Sequence, residues 1–544
     1  MKHPKSTMPR RVWLLSFLLV LLMVSTNALA VTGINPVPNE MPITTEDITL
    51  TIYSGISANK IGYMNSLDGH PVVQAYEEAT GIKLKFIHPP QGDDGTFFTT
   101  MIASGEYPDI FRNPQTGNFK DYPGGVDGAI DDGILLDISD LVKEYGYNFW
   151  QRIDEKGGDS KLKNVLSDSG RVIGLGALFR PPVLDGKPSQ GVVVRKEYMD
   201  QAGITERPRT VEELTELLRA FKEIGVEVPM VLPKLTDASF AKTNFLSSAF
   251  GVTIRDFFLN DEGKVTHGYL EPGYRDFIDT LRLWMEEGLI SRDFITGHDN
   301  QAMMVNGKGG ATWVHTVHTI SMHSLGRSNG DFNLLAIQYP RLSDPDAHIG
   351  LGNNNEAFTN EMWAVSATCK YPVEAVRFID YLYSDEAVLL NAWGTGEVDG
   401  NVTFTEDADG NRTFTEYAKN NPDMDFNTFR GRWTLGEIAV VYEQQMESQQ
   451  YDTPECRDNF EKWGYNYDKA NQLPMHMTPT ADESREIASI MNRVNTYADE
   501  AVLKFILGET PMDQYDAFVE QCRKLGLEEA AALNQQAYDR YQAR

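Results

Sequence analysis

Cysteine is nearly absent: three residues, Cys369, Cys456 and Cys522, in a chain of 544. The count is odd and no two stand at metal-ligand spacing. That excludes a disulfide-built scaffold and a cysteine-based zinc module. Catalytic signatures are missing too, with no His-Glu-x-x-His, nucleophile elbow or phosphate-binding glycine loop. There are no internal repeats and no low-complexity tracts. Basic residues are scarce, 49 Lys and Arg against 78 Asp and Glu, for a formal charge of −29. Such a surface repels phosphate backbones and anionic lipid, which argues against nucleic acid and membrane surfaces as partners. The acidity itself is read as a solubility device. Beyond residue 30, no run is apolar enough to span a bilayer.

The N-terminus is informative. "MKHPKSTMPRR" has four basic residues and no acid, "VWLLSFLLVLLMVS" is apolar, and "TNALA" ends in the small-x-small pattern Ala28-Leu29-Ala30. This is the layout of a secretory signal peptide. Cleavage after Ala30 is expected, with an uncleaved anchor as the alternative. The apolar run is short of the ~18 residues of a spanning helix. Loss of the four basic residues moves the formal charge from −29 to −33. The remaining chain exceeds one ordinary domain, and two large lobes are the natural expectation.

After a proline-bearing leader, strand and helix patterns alternate. "ITLTIYSGI" reads as a strand, "HPVVQAYEEATGI" as a helix ended by Gly81, and "KLKFIHP" as an alternating strand. This β-α-β order favours parallel sheets covered by helices. In "MIASGEYPDIFR" a helix, a turn on Gly105 and Pro108, and a strand entered at Asp109 follow one another. Thr210 and Glu213 have capping-box spacing ahead of an apolar face of Leu214, Leu217, Leu218 and Phe221. "FFLNDEGKVTHGYL" and "NVTFTEDADGNRTFTEY" read as hairpins, and Pro372 opens the helix "YPVEAVRFIDYLYS". Ile487, Ile490, Met491, Val494, Ala498, Ala501 and Phe505 hold one apolar face near the end.

Three constellations need weighing. "DADGN", Asp407 to Asn411, suggests a calcium loop, but its glycine falls too early and no glutamate closes it at position twelve, so a hairpin turn is expected. Carboxylate pairs such as Glu106 with Asp109, or Glu286 with Glu287, are the raw material of glycoside hydrolysis, yet 78 acids make chance pairs common. Four of the ten histidines, His298, His315, His318 and His323, fall within 26 residues. They lie where "GGATWV", strand-like, gives way to the helical "THTISMHSLG". Three readings stay open: a zinc site, a polar contact to an organic ligand, or solvated histidines.

Several segments together resemble a known family. "MIASGEYPDIF", "DDGILLDISDLV", "VVVRKEYMDQAGITERPRTVEELTELLRAFK", "GYRDFIDTLRLWMEEGLI", "KYPVEAVRFIDYLYSDEAVLLNAWGTGE" and "LKFILGETPMDQYDAFVEQCRKLGLEEAAALNQQAYDRY" occur in family order. They are similar to the extracellular solute-binding proteins of ABC importers, carbohydrate type, family 1. The long, lipoprotein-like branch that includes alginate-oligosaccharide binders is the nearest in character. The resemblance implies an α/β, two-lobe periplasmic-binding-protein fold of type II, with a ligand cleft between the lobes. It implies this division: signal peptide 1–30, lobe one 31–177, lobe two 178–340, lobe one again 341–392, and lobe two with a C-terminal helical segment 393–544. Two departures stand out. "FKEIGVEVPMVLP" runs on without the calcium-loop insert of many long-branch members, and no cysteine ends the signal. No metal or cofactor is therefore expected, and the protein should be periplasmic or secreted.

The implied function is capture of a saccharide or oligosaccharide for import, without catalysis, by a monomer that docks on membrane permease subunits. An exported carbohydrate-active enzyme, a hydrolase or lyase, is the alternative. Positions following strand ends give the expected ligand contacts. In lobe one these are Tyr53, Asn59, Arg112, Asn113 and Gln115; at the first crossover, Phe179 and Arg180; in lobe two, Trp313, His315 and His318. Later candidates are Asn354, Glu356, Trp393, Glu397, Arg430 and Trp433. The arginines would suit an acidic sugar.

Overall fold

The computed structural model of the chain describes residues 39–543, apart from 58–59, 91–93, 114–118, 120–121, 123, 156–164, 168, 173, 179–186, 238–239, 242–243, 298, 328–329, 353–357, 425, 452 and 475–476. Strand β1 (Ile48–Tyr53) buries Ile48, Leu50 and Ile52, and β2 (Ile82–Ile87) buries Ile82, Leu84 and Phe86 while Lys83 and Lys85 face water. That two-residue period is what a pleated strand with one covered face requires. The two run parallel, Ile48 beside Ile82, joined by the helix Pro71–Thr80. His70 caps this helix through Nδ1, which accepts from Val72 N at 3.2 Å. Gly81 ends it at φ 73°, where a Cβ would lie 2.2 Å from the Thr44 carbonyl oxygen. Only glycine fits there. Strand β3 (Ile110–Asn113) joins β1 on its other side. The "PD" preceding it works as a latch: the Asp109 carboxylate accepts from Thr51 N at 2.8 Å and Thr51 Oγ1 at 2.7 Å.

After β4 (Leu175–Leu178) the chain leaves this sheet, and β5 (Gln190–Arg195) opens a second one. The second lobe adds β6 (Val228–Val231), the hairpin β7 (Phe257–Leu259) and β8 (Val265–His267), β9 (Gly309–His315) and β10 (Leu334–Ala336). The chain then returns as β11 (Phe358–Val365). The first sheet has the order β2-β1-β3-β11-β4 and the second β10-β5-β9-β6. Both are mixed, not purely parallel as the sequence pattern suggested. The reason is directional. β11 enters from the edge at which β3 and β4 end, so it must run antiparallel to them. β5 enters the second sheet in the same way, antiparallel to β9. Both crossovers therefore join one edge of each sheet. That crossover edge carries the C-terminal ends of β1, β2, β3 and β4 in lobe one, and of β6 and β9 in lobe two.

Two expected boundaries need correction. Residues 341–351 stay with lobe two, because Ile349 and Leu351 fill its core and the Arg341 guanidinium holds the carbonyls of Ala347 and Tyr465. The segment after residue 392 does not go straight to lobe two either. Leu435, Ile438 and Val440 complete the lobe-one core, and Trp393, Phe414, Phe429 and Met446 build a small cluster on its flank. The chain commits to lobe two at the helix Pro454–Trp463, whose Trp463 is buried there. The C-terminal helices Ala481–Ile506, Tyr515–Lys524 and Leu527–Ala543 cover the same lobe with the expected apolar face. The helix Val211–Glu223 begins with the expected capping box, and "DADGN" is a hairpin turn whose Asp407 carboxylate accepts from Asp409 N and Asn411 N.

The β5 start is packed tightly. A Cβ on Gly191 would come within 2.4 Å of the Trp463 indole, which is fully buried and donates to the Val192 carbonyl at 3.2 Å. Gly191→Ala is expected to cost about 1–3 kcal/mol through overpacking. A urea melt checks this, and an unchanged midpoint would show that the indole can move.

Candidate functional site

On lobe two the crossover edge is built by the end of β9. His315 is its last residue, and His318 lies in the first turn of the helix Thr316–Arg327. The junction is pinned: Thr316 N donates to the Ser189 carbonyl at 2.9 Å, and Asn459 Nδ2 donates to Thr316 Oγ1 and Thr319 Oγ1, each at 3.0 Å. His315 Nδ1 accepts from Val317 N at 3.3 Å, which leaves the proton of the neutral ring on Nε2. The two imidazoles meet edge-on, centroids 6.1 Å apart. Burial, with His318 as a neighbour, lowers the His315 pKa to about 4, and His318 is lowered in the same direction by desolvation. Both are neutral at physiological pH.

A neighbour that the sequence reading missed is Gln190, paired across the ladder with His315. Its Oε1 is buried without a hydrogen-bond partner among the described residues. The signal was its position directly ahead of "GVVV". His323 goes elsewhere: it is buried edge-on to Phe332, with Nε2 towards Leu334 N at 3.4 Å. His298 lies outside the described residues. Among the described residues, no three His, Cys, Asp or Glu side chains converge as metal ligands.

The expected aromatic contacts are mostly packing residues. Trp313 is 6% exposed and meets Phe240 edge-on at 5.3 Å inside the lobe-two core, so it is not a free stacking face. Tyr53, 2% exposed, is enclosed by Phe97, Phe98 and Phe111. Arg112 is fully buried with its guanidinium 5.8 Å from the Trp363 ring. These positions lie at strand ends as expected, but alternation turns their side chains into the lobes. Asn113 closes β3, and its side chain is not described. Asn59, Gln115, Phe179, Arg180, Asn354 and Glu356 lie outside the described residues.

Three later candidates do come together. Trp393, Arg430 and Trp433 line one small pocket with Gly394, Thr395 and Phe414. Trp393 is a wall and not a free face: it stacks on Phe414 at 4.6 Å and donates to Glu443 at 2.9 Å. Gly394 has φ 74°, and a Cβ there would lie 2.7 Å from the Trp433 carbonyl oxygen. Glu397 is exposed in the short hairpin beside the pocket, opposite Val402. The open face nearby belongs to Tyr63, 49% exposed, which meets Trp433 edge-on at 5.1 Å and carries the Arg432 guanidinium at 4.5 Å. Lys60 Nζ holds the Gly431 carbonyl at 2.6 Å, and His70 Nε2 lies 3.1 Å from that of Arg432. The loop after β1 is thereby tied to this corner. Tyr63 and Arg432 were missed, although "IGYMN" trails a strand end just as Asn59 does.

A short helix, Gln444–Tyr451, links the two sides. Gln445 exchanges hydrogen bonds with Arg412 N and the Gly410 carbonyl at 2.7 and 3.0 Å, and Met446 packs in the lobe-one flank. At its other end Tyr451 packs with Phe460, Val317 and Ile320 on lobe two.

Two α/β lobes joined at facing edges, with neutral polar groups on one side and aromatic and cationic groups on the other, form a binding scaffold. A sequence profile described as "Bacterial extracellular solute-binding protein" matches residues 70–389, more than half of the chain. The chain belongs to this family. It is 22% identical over 505 residues to the fructooligosaccharide ABC transporter substrate-binding protein FusA of Streptococcus pneumoniae, covering 87% of each. Among solved structures, FusA in complex with kestose superposes with a TM-score of 0.71 at 18% identity. The alginate-binding protein AlgQ2 without calcium ion gives 0.71 at 20%, and an HMO-binding solute-binding protein of Bifidobacterium longum infantis gives 0.73 at 17%. Each match covers 91% of this chain and 99% of the other, which establishes the two-lobe fold. Among the described residues, no helix is long and apolar enough to cross a membrane.

The histidines predict a pH effect. Unfolded chains protonate histidine near 6.5, whereas folded His315 resists protonation until about 4. Between these values the unfolded state binds more protons, so stability falls as the pH drops from 6.5 towards 4. The buried His267, also lowered to about 4, acts in the same sense. His315→Gln removes its own share, at most about 3 kcal/mol at the acid end. Calorimetry should show the parent losing more stability than the variant as pH falls through this window; parallel profiles would contradict the assignment.

Proposed function

We propose that this protein is the exported receptor of an ABC importer, capturing a neutral oligosaccharide between its lobes without chemical change. The observation that carries this reading is the match of both lobes, over 91% of the chain, to receptors whose names describe kestose, alginate or HMO binding. The crossover-edge groups fit a sugar. Neutral imidazoles of His315 and His318 and the amide of Gln190 suit hydroxyls, while the Tyr63 corner offers a ring for apolar C–H faces. A neutral ligand is favoured by the uncharged histidines and by Arg112, which is buried against Trp363. An acidic sugar would have to find its cation at the Tyr63 corner, in Arg432 or Arg430. The signal layout supports export, and the reading is completed by a periplasmic or secreted monomer that docks on membrane permease subunits.

Calorimetric titration against neutral fructo-, gluco- and N-acetyl-containing oligosaccharides and alginate oligosaccharides tests the reading. Binding of a neutral glycan, recovered intact by chromatography, is the expected result. Product formation would instead establish the enzyme alternative, and preference for alginate would overturn neutrality. Small-angle scattering should show a compaction on binding, the signature of hinge closure.

His318 and Tyr63 are exposed enough to change without disturbing a core. His318→Ala and Tyr63→Ala are each expected to weaken the bound glycan about tenfold, close to 1.4 kcal/mol. Parent-like affinity in both variants would place the ligand elsewhere.

A further inference from the structure

Lobe two holds a cavity between the loop that follows β6 and the long helix Ala481–Ile506. Leu235, Ile254, Phe294, Ile295, Val502 and Leu503 give it apolar walls. None of the crossover-edge residues named for the sugar lines it. Polar groups enter the lining as Lys234, Thr236, Arg255, Tyr269, Tyr274 and Asp499. Arg255 Nη2 donates to Asp499 at 2.9 Å.

Hydrogen bonding here is incomplete. Tyr274 is fully buried, and its hydroxyl has no partner among the described residues. The Nε–H of Arg255 is buried in the same condition. Native interiors rarely leave such groups unsatisfied, and both can donate to one acceptor. Charge is also unbalanced locally. Asp499 answers Arg255, whereas the exposed Lys234 has no acidic partner among the described residues. An excess cation at a mostly apolar cavity stands out in a chain of formal charge −29.

We propose that this cavity is a second ligand site, taking a small organic monocarboxylate with a short aliphatic tail. The carboxylate accepts from the Arg255 Nε–H and the Tyr274 hydroxyl and is drawn in by Lys234. The tail covers the Leu235, Phe294 and Val502 wall. A sugar is a poorer fit, because Leu235, Ile254, Phe294, Ile295, Val502 and Leu503 would leave hydroxyls on that wall without partners. Asp499, the one acid in the lining, keeps its place on Nη2; desolvation raises its pKa against the pull of Arg255, which softens repulsion.

The full exported chain is titrated with sodium butyrate, with 1-butanol and with sodium chloride at matched ionic strength, following the melting temperature. Butyrate should raise it saturably, and the alcohol and chloride should not. Tyr274→Phe removes an orphaned hydroxyl, so the ligand-free protein should melt no lower than the parent, while butyrate affinity drops about tenfold. Lys234→Gln, at an exposed position, should weaken butyrate several-fold. Oligosaccharide affinity should be unchanged in both variants. Equal effects of butanol and butyrate, a butyrate shift that survives Tyr274→Phe, or mutual exclusion of butyrate and oligosaccharide would each overturn the proposal. Because the sugar contacts lie on other residues, failure here leaves the receptor reading intact, and failure of that reading leaves this site to stand.

Discussion

The direction in which the chain enters each sheet governs the molecule. β5 and β11 both arrive from the neighbouring lobe, and both must start at the edge where the parallel strands end. This single constraint mixes the two sheets and sets the carboxyl ends of the parallel strands in each lobe at the crossover edge. Strand carboxyl ends are where open α/β sheets place ligands, because loops there are free of ladder hydrogen bonds. The binding gap is thus a by-product of connectivity, and side chains only decide what it accepts.

Much of this was legible beforehand, and the successes share a cause. The alternation of "IKLKFI", the Thr210–Glu213 box and the glycine after "EEAT" are local signals whose physics is complete within a few residues. Failures came where the deciding partner is distant. Trp313, Tyr53 and Arg112 sit at strand ends as expected, yet which face they take depends on Phe240, Phe97 and Trp363, which no short window contains. The boundaries at 341 and 393 failed for the same reason. Residues 341–351 and 435–440 have no helical or strand period, so only the cores they fill reveal their lobe.

The histidines show how context fixes chemistry. A cluster within 26 residues invites a metal reading, but the helix start at Thr316 divides it. His315 spends one nitrogen on Val317 N, and His323 turns inward to Phe332. What remains at the crossover edge is a pair of uncharged rings, His315 with only its Nε2–H to donate and His318 on the exposed first turn of the next helix. Such groups discriminate by geometry and pay little desolvation, unlike a cation, which would reward any anion.

The helix Gln444–Tyr451 is fastened differently at its two ends. Directional hydrogen bonds from Gln445 lock it to the hairpin on the lobe-one flank, while Tyr451 meets lobe two through ring and aliphatic contacts with Phe460, Val317 and Ile320. Hydrogen bonds break under sideways displacement; apolar surfaces slide. The helix is therefore a strut with one end on each lobe, and its lobe-two end packs beside Val317 and Ile320, on the very helix that carries His318. The footing of that histidine is in this way shared with a segment anchored on the opposite lobe.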